Sequence, residues 1–339
     1  MATLYVVEQG GEIGCDGERI VVRYASQEIG SAPLSRLDDI LIIGNVGITT
    51  PALKRLCERG VEVTFLTVHG RYQGRLVGAA TPHAALRRLQ YRRADDPQWS
   101  LAQAQACVEG KVRNARAVLQ RFARNRASVE ASVHEAASDL SSYIERVGRT
   151  TRLSALLGVE GSATARYFSG LRALFGPEWA FNTRSRRPPG DPVNVLLSLG
   201  YTLLLHKVTG AVAASGLDPY MGYLHQIDYG RASLALDMME EFRPLLVDAL
   251  VLRCCGDGRV TAEDFRSGAA GERPVEFSAE GQRRYIAAFE ERMRTEATHP
   301  EGADSGPGKV SYLRCLELQA RRLVRAIRDG GQYEPFNAR

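Results

Sequence analysis

His83-Ala-Ala-Leu-Arg-Arg-Leu-Gln-Tyr-Arg-Arg93 is where the chain changes its period. Upstream, apolar residues alternate with polar ones, as they do on a half-buried strand. From His83 onward they recur at every third or fourth position, which lines one face of an α-helix. Long Ala/Arg/Leu segments at 83–93, 99–126, 128–148 and 152–175 continue that spacing and predict helices. On the other side, residues 3–7, 19–24, 39–43 and 61–67 are rich in Val, Ile, Thr and Tyr, with Gly10-Gly11, Asp16-Gly17 and Gly30 at the bends, and read as short strands. One helix interrupts them, with Thr50 as N-cap, Pro51 at the first helical position and Gly60 as its stop. The fold class is therefore α+β multidomain: a small N-terminal β-rich domain, residues 1–82, precedes a larger all-α domain, residues 83–339.

A chain of 339 residues is long enough for two buried cores. With 44% hydrophobic and 24% charged residues it has the composition of a globular protein, which excludes disordered, collagen-like and disulfide-scaffold classes. A Pro188-Pro189-Gly190 break precedes Asp191-Pro192, an N-cap and first-turn proline that launch an apolar helix to about Ser215. The apolar run 193–205 is interrupted by Asn194, Ser198 and Gly200 and ends at His206-Lys207, short of the roughly 20 residues that span a bilayer. No membrane helix is expected, and Glu8 and Glu12 stand where a signal peptide would not tolerate them, so the expected location is the cytoplasm. Residues 296–308 read as a flexible loop before a last helix that ends near Asp329. The six cysteines are scattered with no CxxC pair and read as reduced core thiols.

The net charge of +5 is unevenly distributed: residues 81–190 hold 18 Lys+Arg against 9 Asp+Glu, and 17 of the 18 are arginine. Arginine's planar fork suits phosphate oxygens, so a polyanion is the partner class to suspect beside the plainer reading of a solvated arginine-rich face. Gly308-Lys309 lacks the other glycine and the Ser/Thr of a phosphate loop, and GxGxxG after a strand, GxSxG and HExxH are absent. Nucleotide-binding, serine-hydrolase and zincin readings lose their usual support.

A different constellation remains. If residues 232–243 are helical, Asp237, Glu240 and Glu241 share one stripe. Three acids repel unless compensated, either by Arg243 and solvent or by a divalent cation with His225 as a third ligand. Gly158 and Gly161 flank Glu160 in a helical stretch, where each glycine costs about 1 kcal/mol against alanine. That pattern suggests close backbone approach or packing as readily as function.

In order and spacing, Leu157-Gly-Val-Glu160-Gly with Tyr167-Phe168, Arg184-Ser-Arg-Arg187-Pro-Pro-Gly-Asp191-Pro-Val-Asn194 with Gly200-Tyr201, Gly222-Tyr-Leu-His225 and Asp237-Met-Met-Glu240-Glu-Phe-Arg-Pro244 resemble the family of CRISPR-associated protein one, the integrase of the spacer-acquisition complex. The resemblance spans essentially the whole chain. It implies that Glu160, His225 and Glu240 bind one Mg²⁺ or Mn²⁺ per subunit, with Asp237 beside them as a support or alternative ligand. Some relatives carry aspartate where Glu240 stands, and the adjacent Glu241 leaves open which acid reaches the metal.

The activity implied is insertion of short double-stranded prespacer DNA into a repeat array. A DNA 3′-hydroxyl attacks a phosphodiester, so no protein nucleophile is required. Arg184, Arg186 and Arg187, with Arg166 about two turns after Glu160, are the expected phosphate contacts. The resemblance further implies a homodimer, with dimerisation and partner contacts through the β-rich domain, and assembly with a dimer of the small CRISPR-associated protein two. Some relatives occur with, or fused to, an iron-sulfur exonuclease that trims the fragment. Two other readings stay open at this level: a stand-alone metal-dependent nuclease acting on branched DNA, and a non-catalytic helical DNA-binding scaffold.

Overall fold

The computed structural model describes all residues except 1, 2, 69, 71, 77, 79–82, 125–129, 186, 187, 269–273, 304, 305 and 339. The chain divides into two compact units, Met1–Pro82 and His83–Arg339, with the division at the change of period.

The first unit comprises β1 (Thr3–Val6), β2 (Glu12–Asp16), β3 (Arg19–Tyr24), β4 (Gln27–Pro33), β5 (Asp39–Ile43), β6 (Gly47–Ile48), α1 (Thr50–Arg59), β7 (Glu62–Leu66) and β8 (Tyr72–Leu76). They form two four-stranded sheets, ordered β1-β5-β7-β8 and β4-β3-β2-β6. Alternate residues of the strands (Ile20 and Val22, Ile40 and Ile42) enter one apolar core, onto which α1 presses Ala52 and Leu56, one turn apart. The N-cap of α1 is Thr49, one residue earlier than the sequence reading, because its hydroxyl accepts from Ala52 N at 3.3 Å. Gly60 closes the helix at φ 69°, in the left-handed region that favours glycine.

The second unit is mostly helical: α2 (Ala84–Ala94), α3 (Pro97–Arg124), α4 (Ala131–Gly148), α5 (Leu153–Arg172), α6 (Pro192–Ala214), α7 (Ser233–Met239), α8 (Ala249–Gly256), α9 (Ala279–Arg294) and α10 (Tyr312–Asp329). Helices α3, α4 and α5 pack on one another. Val108, Val112, Ala115 and Leu119 of α3 are buried at helical spacing.

Helix α6 starts where expected, with Asp191 accepting from Asn194 N at 2.8 Å. It does not stop at His206-Lys207, and by length and composition it is apolar enough to cross a membrane. Here it is a core helix in contact with α7 and α10, and its buried Lys207 is neutralised by Glu290 at 3.2 Å. The interruptions at Asn194, Ser198 and Gly200 therefore mark contact positions within a continuous 23-residue helix.

Two hairpins correct the expectation of an all-α second domain: β9 (Phe265–Ser267) with β10 (Val275–Phe277), and β11 (Glu296–Ala303) with β12 (Gly306–Ser311). The second hairpin occupies the segment read as a flexible loop. Pro300, Gly302 and Gly308 conceal its alternation, while the fully buried His299 ties it to α10 through Gln319 at 3.0 Å. The helix expected at 232–243 ends at Met239, and Pro244 opens a π-helical turn, Pro244–Asp248, that runs into α8. All six cysteines are free, and burial pushes the Cys254 thiol up to about 12.

Candidate active site

Three segments of the second unit meet at one ammonium group, and a fourth, the His225 loop, approaches through Glu240. Lys111 of α3, the only lysine among the 18 basic residues of 81–190, stands among Val108, Val112 and Ala115 on the buried side of its helix. Its Nζ is ion-paired with Glu160 Oε1 of α5 and lies 2.8 Å from Glu240 Oε2, just past the end of α7. Glu240 Oε1 also meets Arg243 at 3.2 Å and stands 3.8 Å from His225 Nε2. Thr164, one turn after Glu160, donates to Glu160 Oε1 at 2.9 Å and restricts its rotamer.

His225 is held from behind. Asp237 is fully buried; its Oδ1 accepts from the His225 backbone N–H at 2.9 Å and faces the ring Nδ1 at 2.7 Å, while its Oδ2 accepts from Tyr223 N at 2.6 Å and Leu224 N at 2.9 Å. A carboxylate can only accept, so the proton is on Nδ1, and in the neutral ring Nε2 presents a lone pair towards Glu240. Gly222 permits this approach: a Cβ there would come within 2.7 Å of Ser233 and 2.9 Å of Asp237 Oδ2. The edge-on contact of Tyr223 with Trp99, centroids 5.1 Å apart, braces the loop. With both oxygens occupied by donors, Asp237 orients the histidine and does not point into the cluster.

The acidic stripe read from the sequence divides at the helix end. Glu240 N bonds Asp237 O at 3.2 Å, a three-residue turn in which positions i and i+3 eclipse. Glu240 therefore stays above Asp237 while Glu241 is carried past it. There Glu241 accepts from Tyr333 OH at 2.7 Å, Gln319 Nε2 at 3.1 Å and Phe336 N at 2.8 Å, clamping the C-terminal segment. Burial alone would raise the Glu240 carboxyl, but the permanent cations Arg243 and Lys111 outweigh it and hold it at about 2. Glu241 has no comparable cation, and burial lifts it to about 7 against its three hydrogen bonds. Burial also presses the Lys111 ammonium down, yet Glu240 and Glu160 outweigh it and the net shift is upward.

The other expected residues are distributed differently. Arg184 lies beside the cluster, bonded to Asn194 Oδ1 at 2.8 Å and Ser198 Oγ at 3.1 Å; its guanidinium covers the Tyr201 ring at 5.4 Å, and that of Arg243 covers the same ring at 4.9 Å. Arg166 stands apart from the cluster. Six residues after Glu160 it has rotated to another face of α5, where Asp139 at 2.6 Å and Glu135 at 3.6 Å neutralise it. Arg186 and Arg187 lie outside the described residues. A Cβ on Gly158 or Gly161 would meet nothing within 4 Å, so these glycines border open space beside Glu160 and do not serve packing. A cavity of about 410 Å³ opens there, lined by Gly161, Thr164, Arg172, Thr183 and Arg184.

Sequence reasoning missed Lys111, Thr164 and the buried Asp248. Asp248 accepts from Tyr201 OH at 2.6 Å and Tyr167 OH at 3.0 Å, and burial raises it to about 6. A lone lysine within an apolar helical stripe was the readable signal for the first; nothing local distinguishes the other two.

The donor set suits a divalent cation: two carboxylates, one with a buried Oε2 that no aligned hydrogen bond satisfies, face a histidine whose distal nitrogen is fixed by a carboxylate. Among the described residues, no three His, Cys, Asp or Glu side chains are already drawn to common ligand geometry, since Lys111 holds Glu160 and Glu240 together.

Comparison with known proteins identifies the family. The family model described as CRISPR associated protein Cas1 matches residues 4–291. A CRISPR-associated endonuclease Cas1 of Thermus thermophilus is 36% identical over 100% of this chain and 98% of its own length. An exonuclease Cas4/endonuclease Cas1 fusion of Geobacter sulfurreducens is 36% identical over 96% of the chain, which spans only 58% of that fusion. Among solved structures, a Cas6-RT-Cas1–Cas2 complex aligns at a TM-score of 0.85 with 27% identity, covering 99% of this chain and 36% of the other. A Cas1 protein of Thermotoga maritima shares the fold at a TM-score of 0.81 with 23% identity, each chain being covered to 99%. The chain belongs to the CRISPR-associated Cas1 family.

Proposed function

We propose that the chain is a metal-dependent DNA endonuclease and integrase of CRISPR adaptation, acting in the cytoplasm and joining prespacer 3′-hydroxyl ends to a repeat array by transesterification. The observation that carries this reading is that Glu240 links the other two candidate ligands, sharing the Lys111 ammonium with Glu160 through its Oε2 and standing 3.8 Å from His225 Nε2 through its Oε1. Glu160, His225 and Glu240 would hold one Mg²⁺ or Mn²⁺, which supplies polarisation of the phosphoryl oxygen and a lowered pKa for the attacking hydroxyl.

The chain's own residues prepare the remainder. Asp237 fixes the histidine tautomer and aims Nε2 at Glu240. Thr164 and Lys111 limit the positions Glu160 can take, and Arg243 and Lys111 keep Glu240 ionised across the neutral range. Arg184, beside the cavity next to Glu160, offers its guanidinium to a phosphodiester, and the backbone there is unobstructed because Gly158 and Gly161 lack side chains. The extra charge of a pentacovalent phosphate would thus develop between fixed cations.

The solved Cas6-RT-Cas1–Cas2 complex and the Cas4/Cas1 fusions support two partners here, the small CRISPR-associated protein two and an exonuclease on a separate or fused segment; to these the proposal adds, from the resemblance alone, a homodimer of this chain, a dimeric state of the small partner and a trimming role for the exonuclease. The test is a joining assay with the small partner, a fragment bearing 3′-hydroxyls and a supercoiled plasmid carrying a repeat, with Mn²⁺ or Mg²⁺ against EDTA. Fragment covalently joined to the repeat by wild type and not by His225→Ala, only with metal, is the expected result. Nicking without joining would point to a stand-alone nuclease, and binding without strand chemistry to a scaffold.

A further inference from the structure

A second cationic feature lies on the other side of the π-helical turn. The C-terminal half of α3, the α8 helix, the end of α9 and the β11–β12 hairpin enclose a groove of about 690 Å³. Its walls carry Arg121, Arg124, Arg253, Arg292 and Lys309 against the single acid Glu296. Arginines elsewhere in the unit are commonly neutralised, as Arg166 is by Asp139 and Arg259 by Glu291. Among the described residues no ion pair reaches Arg121, Arg124, Arg253 or Lys309.

The two inner guanidiniums make this more than a solvated surface. Arg292 is buried, and its donors meet only neutral groups: Leu245 O at 2.9 and 3.2 Å, Thr295 Oγ1 at 3.2 Å and Tyr312 OH at 3.3 Å. Arg253 is half-buried beside it. Charged groups withdrawn from water are ordinarily paired, and here, among the described residues, two cations share a low-dielectric wall with no carboxylate at ion-pair distance, Asp257 acting on Arg253 only from farther off. Burial, and then the nearby Arg121, press the Arg253 guanidinium below its usual range, and burial does the same at Arg292. An anion with several oxygens would relieve both.

We infer that this groove is a binding site for the phosphodiester backbone of DNA, with Arg121 and Arg253 contacting phosphates and Arg292 shaping its floor. Ten residues separate Lys111 from Arg121 on α3, about 15 Å of helix, which a duplex covers in roughly four to five base pairs. The choice of DNA over a free anion rests on the proposed function; the existence of the anion site does not.

The test compares wild type, Arg121→Gln, Arg253→Gln and the double variant as full chains in EDTA, so that no strand chemistry intervenes. Binding of a labelled duplex is followed by anisotropy over a salt series, and thermal midpoints are taken with and without inorganic phosphate. The double variant is expected to bind about tenfold more weakly at low salt, with the log–log salt slope shallower by about 2, and Arg121→Gln alone by about 1. Phosphate should raise the wild-type midpoint and not that of the double variant. Without added anion Arg253→Gln should be at least as stable as wild type, because it removes an uncompensated charge. An unchanged slope overturns the DNA assignment, and a lost phosphate response with an unchanged slope would reduce the groove to a site for free anions. Destabilisation by Arg253→Gln without anion would overturn the argument from uncompensated charge. Failure of the joining assay with an altered slope would sink the integrase reading and leave the groove standing.

Discussion

Glu240 and Glu241 are consecutive, chemically identical and both buried, and they face opposite sides of the same helix end. Glu240 faces Lys111, Arg243 and His225 and is held as a carboxylate at about 2. Glu241 faces two hydroxyl- and amide-bearing side chains and a backbone N–H, and burial leaves it near 7. Hydrogen bonds alone do not offset desolvation here, whereas full counter-charges do. The first environment is the one the proposed exchange of the lysine for a metal ion requires, and the second fits a clamp that anchors the C-terminal segment.

Four measurements test that contrast. The largest effect is expected from Glu240→Gln, which should lower metal-dependent joining about 10³-fold, roughly 4 kcal/mol of transition-state stabilisation, while Glu241→Gln changes it only a few-fold. Equal losses in the two variants would show that the clamp and the site are one unit.

Next, Lys111→Met leaves Glu160 and Glu240 facing each other without their shared ammonium. In EDTA urea unfolding should show a loss of about 3 kcal/mol, recovered on adding Mn²⁺. A loss that Mn²⁺ does not restore would mean that the lysine is structural only.

Third, the two glutamates should bias stability in opposite directions with pH. The lowered Glu240 contributes stability that is present above its unfolded value of 4.5 and is lost as pH falls towards 2. The raised Glu241 contributes stability that is present below 4.5 and is lost as pH rises through about 7. Measured in EDTA, Glu241→Gln should therefore remove a decline of about 3 kcal/mol from the profile between those values. If the wild-type and variant curves run parallel, Glu241 does not carry its proton into the neutral range.

The smallest effect is expected from Arg166→Gln. Its ion pairs with Asp139 and Glu135 are partly exposed, so stability should change by less than about 1 kcal/mol and the salt slope of duplex binding should stay put. A shallower slope would return Arg166 to the DNA surface.

How much of this was legible in the sequence depends on the range of the interaction. The boundary signals were local and readable: the period change at His83, the Asp191-Pro192 helix start, the Gly60 stop. The β11–β12 hairpin was not, because its prolines and glycines mask the alternation and its order comes from His299 docking on Gln319 of α10. That Arg166 points away from Glu160 follows from counting degrees and not turns, since six residues carry it about 240° around the helix. The motifs Glu160, His225 and Asp237–Glu240 could be picked out, but Lys111, which joins two of them, belongs to no motif and is 49 residues from Glu160.

Short-range pattern accounts for the division at His83, for the strands β1, β3, β5 and β7, for the helices α1 to α6 and α10 to within a few residues, and for carboxylates and a histidine of metal-binding type recurring in family order; these follow from neighbours within one or two turns. It took the packing of distant helices to settle that Glu240 and Glu241 part company, that Lys111 is the cation between Glu160 and Glu240, and that Arg253 and Arg292 lie near each other with no carboxylate at ion-pair distance among the described residues. Each of these depends on which side chains from distant helices share a water-poor space. Local pattern carries no information about the sign of the charge waiting across that space.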